Sequence, residues 1–198
     1  DREIFLRLAQ TADAVVEDFP PGYLESLGLG YQGLQAANPG IVLTSITPFG
    51  QTGPRAHWKG NDLIVQALSE WMAQASAFSL PPCACPADPT FHIGGAHAAV
   101  GTLMALWARR EDGQGQHVDA SLHQAMVSGA GSVPIARYSI AAEIAGGSGA
   151  GAKIAGVNCY RCSDGWVAMN IHFGHLWKRL VEWIDSPLLN DPYWLTPG

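Results

Sequence analysis

The run Ile41-Val42-Leu43-Thr44-Ser45-Ile46 decides the fold class. A strand with one face in water alternates apolar and polar residues. This one is β-branched or apolar almost throughout, which is how a strand covered on both faces of a parallel sheet reads. Upstream, Ala14-Val15-Val16 reads as a second buried strand, ending at Phe19-Pro20-Pro21-Gly22, a loop by composition. Downstream, His117 to Ala120 reads as a third. Ile4, Phe5 and Leu8 form a short helical stripe over residues 3–10. Short helices are expected over Tyr23 to Leu27, stopped by Gly28, and over Leu34 to Ala37, closed by Asn38-Pro39-Gly40.

The segment Pro48 to Gly60 is expected to be a loop. Asp62 to Ala75 reads as a helix with Leu63, Ile64, Ala67, Leu68, Trp71 and Met72 on one apolar stripe. Residues 76–90 form a Pro- and Cys-rich loop. The longest helix is expected over 92–110, with Ala96, Ala99, Val100, Leu103, Leu106 and Trp107 on its apolar side. Gly94, Gly95 and Gly101 within it each cost ~1 kcal/mol against Ala, so something should pack or bind closely there. After the Gly113-Gln114-Gly115 turn and the third strand, Leu122 to Val133 is expected to be helical. The composition then shifts at Gly146-Gly147-Ser148-Gly149-Ala150-Gly151. Beyond it, Asn158 to Arg161 and Trp166 to Ile171 read as a hairpin around Ser163-Asp164-Gly165. His175 to Ile184 reads as an amphipathic helix, with Leu176, Leu180, Val181 and Ile184 on its apolar side. Strand–helix alternation predicts an α/β domain over 1–145, a Gly-rich loop or linker over 146–157 and the start of a smaller unit over 158–198.

The 198 residues suffice for one domain, or one and part of another. Opening inside a helical pattern and closing on Thr196-Pro197-Gly198, the chain is expected to be a piece of a longer protein. Its 47% hydrophobic and 14% charged content does not fit a disordered chain. No apolar run approaches the ~18–20 residues of a membrane span. A net charge of −6, with eleven scattered Lys and Arg, argues against a nucleic-acid partner but leaves room for a small anionic ligand. Cys83, Cys85, Cys159 and Cys162 are expected to be reduced cytosolic thiols. Their spacing and interleaved Pro argue against a zinc site, so no metal is expected.

The order of motifs is more specific than the fold. Ala12-Asp13-Ala14-Val15-Val16-Glu17-Asp18-Phe19 runs into Pro21-Gly22. Leu27-Gly28-Leu29-Gly30-Tyr31, Asn38-Pro39 and Phe49-Gly50-Gln51-Thr52-Gly53-Pro54 follow. After these stand Asp62-Leu63-Ile64-Val65-Gln66-Ala67 and Gly113-Gln114-Gly115-Gln116-His117-Val118-Asp119-Ala120-Ser121-Leu122. Over nearly the entire chain this series resembles the family III CoA-transferases, which include formyl-CoA transferase and the carnitine CoA-transferase. The resemblance implies a Rossmann-like large domain, the start of a small α+β domain, and two chains interlocked as a homodimer or heterodimer. It also implies coenzyme A as co-substrate and transfer of CoA between an acyl-CoA and a carboxylic acid. In that chemistry an aspartate attacks the thioester to give a mixed anhydride, then an enzyme thioester.

The resemblance places that aspartate ten residues before Gly101 and four before Gly95, which is Phe91. A phenyl ring is neither nucleophile nor base. Asp88, three residues upstream, enters only through a register shift. His92 is a candidate acid/base by its titration range, against ordinary helix histidine, and His97 is a weaker one. Asp62 is a candidate near the reaction centre, against a plain N-cap role. The resemblance suggests CoA contacts at Asp18, Phe19, Lys59, Asn61, Gly50 and Gln51. Asp18 replaces an Asn, and a family Arg aligns with Ser26. The Gly146–Gly151 run reads either as an active-site lid or as an interdomain linker. Three functional readings follow: a divergent transferase, a non-catalytic CoA-binding subunit paired with an active paralogue, or an acyl-CoA racemase-like variant. Asn61, where the racemase branch carries His, argues against the last.

Overall fold

The computed structural model describes residues 1–72, 81–129, 157–171 and 174–187. The chain divides into two compact units, Asp1–Gly149 and Ala150–Gly198. In the first, the elements run α1 (Arg2–Ala9), β1 (Ala14–Glu17), α2 (Tyr23–Ser26), α3 (Tyr31–Ala37), β2 (Val42–Thr47), α4 (Asp62–Leu68), α5 (Pro89–Asp112), β3 (His117–Ser121) and α6 (Leu122–Gly129). The strands form one parallel sheet in the order β1-β2-β3. Ala14 stands opposite Val42, and Leu43 opposite His117.

The central strand β2 is covered on both faces, as its unbroken apolar reading predicts. On one side, Leu43 joins Ala9, Leu24, Leu29, Leu34 and Ile41 beneath α1, α2 and α3. On the other, Ile46 packs on Phe49, Val65, Leu122 and Met126. The Thr44 hydroxyl shares a 2.7 Å hydrogen bond with that of Thr102, fixing α5 on this second face. Near the other end of α5, Arg109 donates to the Gly40 carbonyl and meets Asp13 at the amino edge of the sheet. Helix α5 therefore runs antiparallel to the strands, and its N-terminus lies at their carboxyl edge.

Two expectations about orientation are overturned. On α4 the apolar stripe was expected to face the core, yet Leu63, Ile64 and Leu68 are exposed, and Val65, Gln66 and Ser69 are buried instead. On α5 the expected inner residues Val100, Leu103 and Trp107 are exposed among the described residues, and Gly94, Ala98 and Ala105 face inward. The reason is distance. A Cβ on Gly94 would lie 2.1 Å from Leu122 Cδ2, and one on Gly101 2.9 Å from Val118 Cγ1. The helix approaches the sheet so closely that only small residues fit, which accounts for two of the three helix glycines. A Cβ at Gly95 meets nothing within 4 Å, so packing does not explain that one.

Element ends move by a few residues. Helix α3 begins at Tyr31 rather than Leu34, and α5 starts at Pro89. The chain leaves α4 at Leu68, with Glu70 in the left-handed region, where one continuous helix was expected. The expected helix ends at Ala75 and Val133, and the Gly146–Gly151 run, lie outside the described residues. In the second unit, β4 (Val157–Arg161) and β5 (Trp166–Asn170) pair antiparallel as the expected hairpin. Helix α7 (Gly174–Ile184) follows, with Val181 buried and Ile184 exposed. No described helix is long and apolar enough to cross a membrane.

Candidate functional site

In open α/β sheets ligands bind at the carboxyl ends of the strands. Three described segments meet that edge: the loop after β1, the loop after β2, and the leading end of α5. Glu17, Ser45 and Asp119 stand in one register row across the sheet. The two outer carboxylates each hold a loop. Glu17 accepts the Phe19 N–H at 2.7 Å, and Asp119 accepts the Gln51 N–H at 2.9 Å. The second loop can turn back on Asp119 because Gly50 has φ +89, and because a Cβ there would stand only 3.3 Å from the carboxylate.

Asp18 and Phe19 are exposed on the first loop, and the Phe19 ring leans on Tyr23 with centroids 4.9 Å apart. Lys59 is exposed at the end of the second. Thr47 Oγ1 and Gln51 Nε2 are buried at this edge without a hydrogen-bond partner. Such an atom costs roughly 1–3 kcal/mol. The edge thus holds unused hydrogen-bonding capacity.

The leading end of α5 is built differently. Pro89 has no N–H to satisfy, and Asp88, at the N-cap, makes no side-chain cap bond. The Thr90 N–H goes to Asp62 Oδ1 at 3.1 Å, so a carboxylate from α4 caps α5, where the helix dipole favours it. Asp62 Oδ2 accepts from the Gln66 side chain. The sequence suggests Asp62 as the cap of its own helix. That task falls to Asn61, whose Oδ1 accepts the Ile64 N–H at 3.0 Å. Asn61, a candidate CoA contact, thus has its side-chain oxygen committed to α4. Phe91 and His92 both project, exposed, from the first turn of α5. His97 Nδ1 lies 2.9 Å from the Ile93 carbonyl, one turn back in its own helix.

Sequence reasoning passed over Glu17, Asp119, Gln66 and Thr90. Asp62 and Gln66 are four apart on one helix, a spacing that could have flagged them. Asp119 and Thr90 act through partners distant in sequence, and Glu17 through the Phe19 N–H two residues on. A separate pocket of about 470 Å³ opens on the sheet face of His117, lined by Glu25, Gly28, Gly30, Tyr31, Gln32 and Gly33. There the Tyr31 hydroxyl donates to the Gly115 carbonyl at 2.6 Å, and burial raises its pKa above 10.0. Among the described residues no group of three or more His, Cys, Asp or Glu is placed to hold a metal.

A family model described as CoA-transferase family III matches residues 1–197. The chain belongs to that family. Among curated relatives of this family III chain, subunit BbsE of succinyl-CoA:(R)-benzylsuccinate CoA-transferase from Thauera aromatica is 34% identical, covering 98% of the chain and 49% of the relative. Acetyl-CoA:oxalate CoA-transferase from Acetobacter aceti is 33% identical, covering 97% and 50%. Among solved structures, Rv3272 from Mycobacterium tuberculosis superposes with a TM-score of 0.79 at 26% identity, covering 96% of this chain and 49% of that one. A CAIB/BAIF family protein from Brucella suis gives 0.75 at 27%, covering 98% and 52%. The family III chain described here spans about half the length of the curated relatives it matches. Its parallel sheet with helices on both faces is part of a Rossmann-like domain.

Proposed function

We propose that this chain is the CoA-handling part of a family III CoA-transferase subunit whose nucleophilic carboxylate comes from a paralogous partner chain. The observation that carries the reading is Phe91. It stands exposed on the first turn of α5, at the position the family resemblance gives to the aspartate. Asp62, on α4, has both oxygens engaged, Oδ1 by the Thr90 N–H and Oδ2 by the Gln66 side chain. Two relatives bear subunit names: BbsE, and the alpha subunit of succinyl-CoA–L-malate CoA-transferase from Chloroflexus aurantiacus. The whole protein then moves CoA between an acyl-CoA and a carboxylic acid. In the partner, a carboxylate oxygen attacks the thioester carbonyl and the C–S bond breaks. The departing thiolate attacks the resulting anhydride, giving an enzyme thioester and a free acid. This chain supplies the Phe19 and Gln51 loops and Lys59 as the cradle for CoA. An interlocked heterodimer and a cytoplasmic location go with the reading, and the thiols at Cys85 and Cys162 suit a reducing compartment.

The test is intact-mass analysis of the full-length protein after incubation with acyl-CoA. Alone, it should bind CoA reversibly and gain no covalent mass. Mixed with its paralogue, the CoA mass should appear on the paralogue, and Phe91→Asp should bring it to this chain. A covalent CoA on the unaltered chain, for instance at the exposed Asp88, would refute the division of labour.

A further inference from the structure

Gln66 is fully buried on α4, and its side-chain amide is bonded through both ends. Its Oε1 accepts the Cys85 N–H at 2.8 Å, and its Nε2 donates to the Cys85 carbonyl at 3.2 Å and to Asp62 Oδ2. One amide thus grips both the N–H and the carbonyl of a single residue, as a neighbouring strand would. Trp71 Nε1 donates to the Cys85 sulfur at 3.1 Å. Five residues on, the fully buried Thr90 is held by Asp62 through its N–H.

Between these two tethers lies Pro86-Ala87-Asp88-Pro89. Ala87 has φ +66 and Asp88 φ +47, two consecutive non-glycine residues in the left-handed region. Each such residue costs roughly 1–2 kcal/mol. Strain of this kind persists only where the surroundings over-determine the backbone, and it gathers at functional sites. The flanking prolines have no N–H with which the turn could hold itself together. The restraint has to come from outside the turn, and Gln66 is the residue that joins both tethers.

We propose that Gln66 is a positioning residue. Acting through Cys85 and Asp62, it holds the left-handed turn in place and so sets where the first turn of α5, with Phe91 and His92, meets the substrate. What that turn serves rests on the CoA reading above; the grip itself does not.

In the full-length protein, Gln66→Met keeps the volume and deletes the three hydrogen bonds. Gln66→Glu keeps an acceptor for the Cys85 N–H but sets a carboxylate against that of Asp62, and it stands in if the first variant does not fold. Hydrogen exchange at the Cys85 and Thr90 amides is expected to accelerate at least ~10-fold in either variant, while the β2 amides stay protected. In a Phe91→Asp background, Gln66→Met is expected to slow covalent CoA capture ~10-fold or more. The acyl-CoA concentration at half-maximal capture should stay where it was, a split that general destabilisation would not produce. Unchanged exchange at Cys85 and Thr90 overturns the proposal. So does equal acceleration in β2, or faster exchange with an unaltered capture rate. If Phe91→Asp alone captures no CoA, the CoA reading is what fails, and the exchange result still decides the grip.

Discussion

The two ends of α5 are fastened by opposite chemistry. At the amino edge of the sheet, Arg109 reaches Asp13 across an ion pair whose side chains are 26% and 76% exposed. At the carboxyl edge the fastening is Gln66, Asp62 and Thr90, two of them fully buried. An exposed pair contributes ~0–1 kcal/mol. Removing one member of a buried network leaves its partners unpaired, at ~1–3 kcal/mol each. The firmer hold is at the end where the resemblance puts the chemistry, and where a small displacement of the helix would matter most.

Substitutions in the full-length protein, followed by thermal or urea unfolding, can break or sharpen that contrast. The largest effect is expected from Gly115→Ala at the amino edge. The new Cβ would fall 1.7 Å from the Ile41 carbonyl oxygen, a backbone atom, so a loss on the order of 4 kcal/mol or outright failure to fold should result. The amino edge would then owe its shape to close backbone approach and not to its ion pair. Next comes Asp62→Ala, which strips the cap from Thr90 and a partner from Gln66 and should cost ~2–4 kcal/mol. A cost near zero would remove the distinction between the ends. Thr102→Val, midway along the helix, deletes the bond to Thr44 and should cost about 1 kcal/mol.

A smaller effect is expected from Tyr31, which burial keeps protonated beyond pH 10.0. Below that pH both folded and unfolded chains hold the proton, and the shift contributes nothing to the slope. Above it the unfolded chain ionises first, so stability should decline with rising pH, and Tyr31→Phe should flatten the decline. The smallest effect is expected from Asp13→Ala, ~0.5 kcal/mol or less. A larger value would mean that the Arg109 pair rivals the buried cluster.

How much of this could be read from sequence depended on whether a signal was local. β2 was legible because a strand covered twice shows no alternation. Helix α5 was legible as a helix, but its inward face was not. Periodicity reports where large apolar side chains lie, whereas Gly94, Ala98, Gly101 and Ala105 face the sheet because of their small size. The segments carrying Phe19, Gly50 and Gln51 were legible as loops by their Gly and Pro content. The cluster at the head of α5 was misjudged by one residue, since Asn61 and Asp62 are both good caps and sequence cannot say which helix each serves. Gln66 was read only as part of a run, because its partner Cys85 lies nineteen residues away.

The inner surface of α5 has a mechanical consequence. A rod of 24 residues, ~36 Å long, rests on the sheet largely through the hydrogens and methyl groups of Gly94, Ala98, Gly101 and Ala105, with Ile93 packing near its leading end. Such a surface offers few side-chain knobs of its own against lengthwise sliding, so the position of the rod along the sheet is left to the Thr102 hydroxyl tie, the Asp62 cap at Thr90 and the Arg109 contacts.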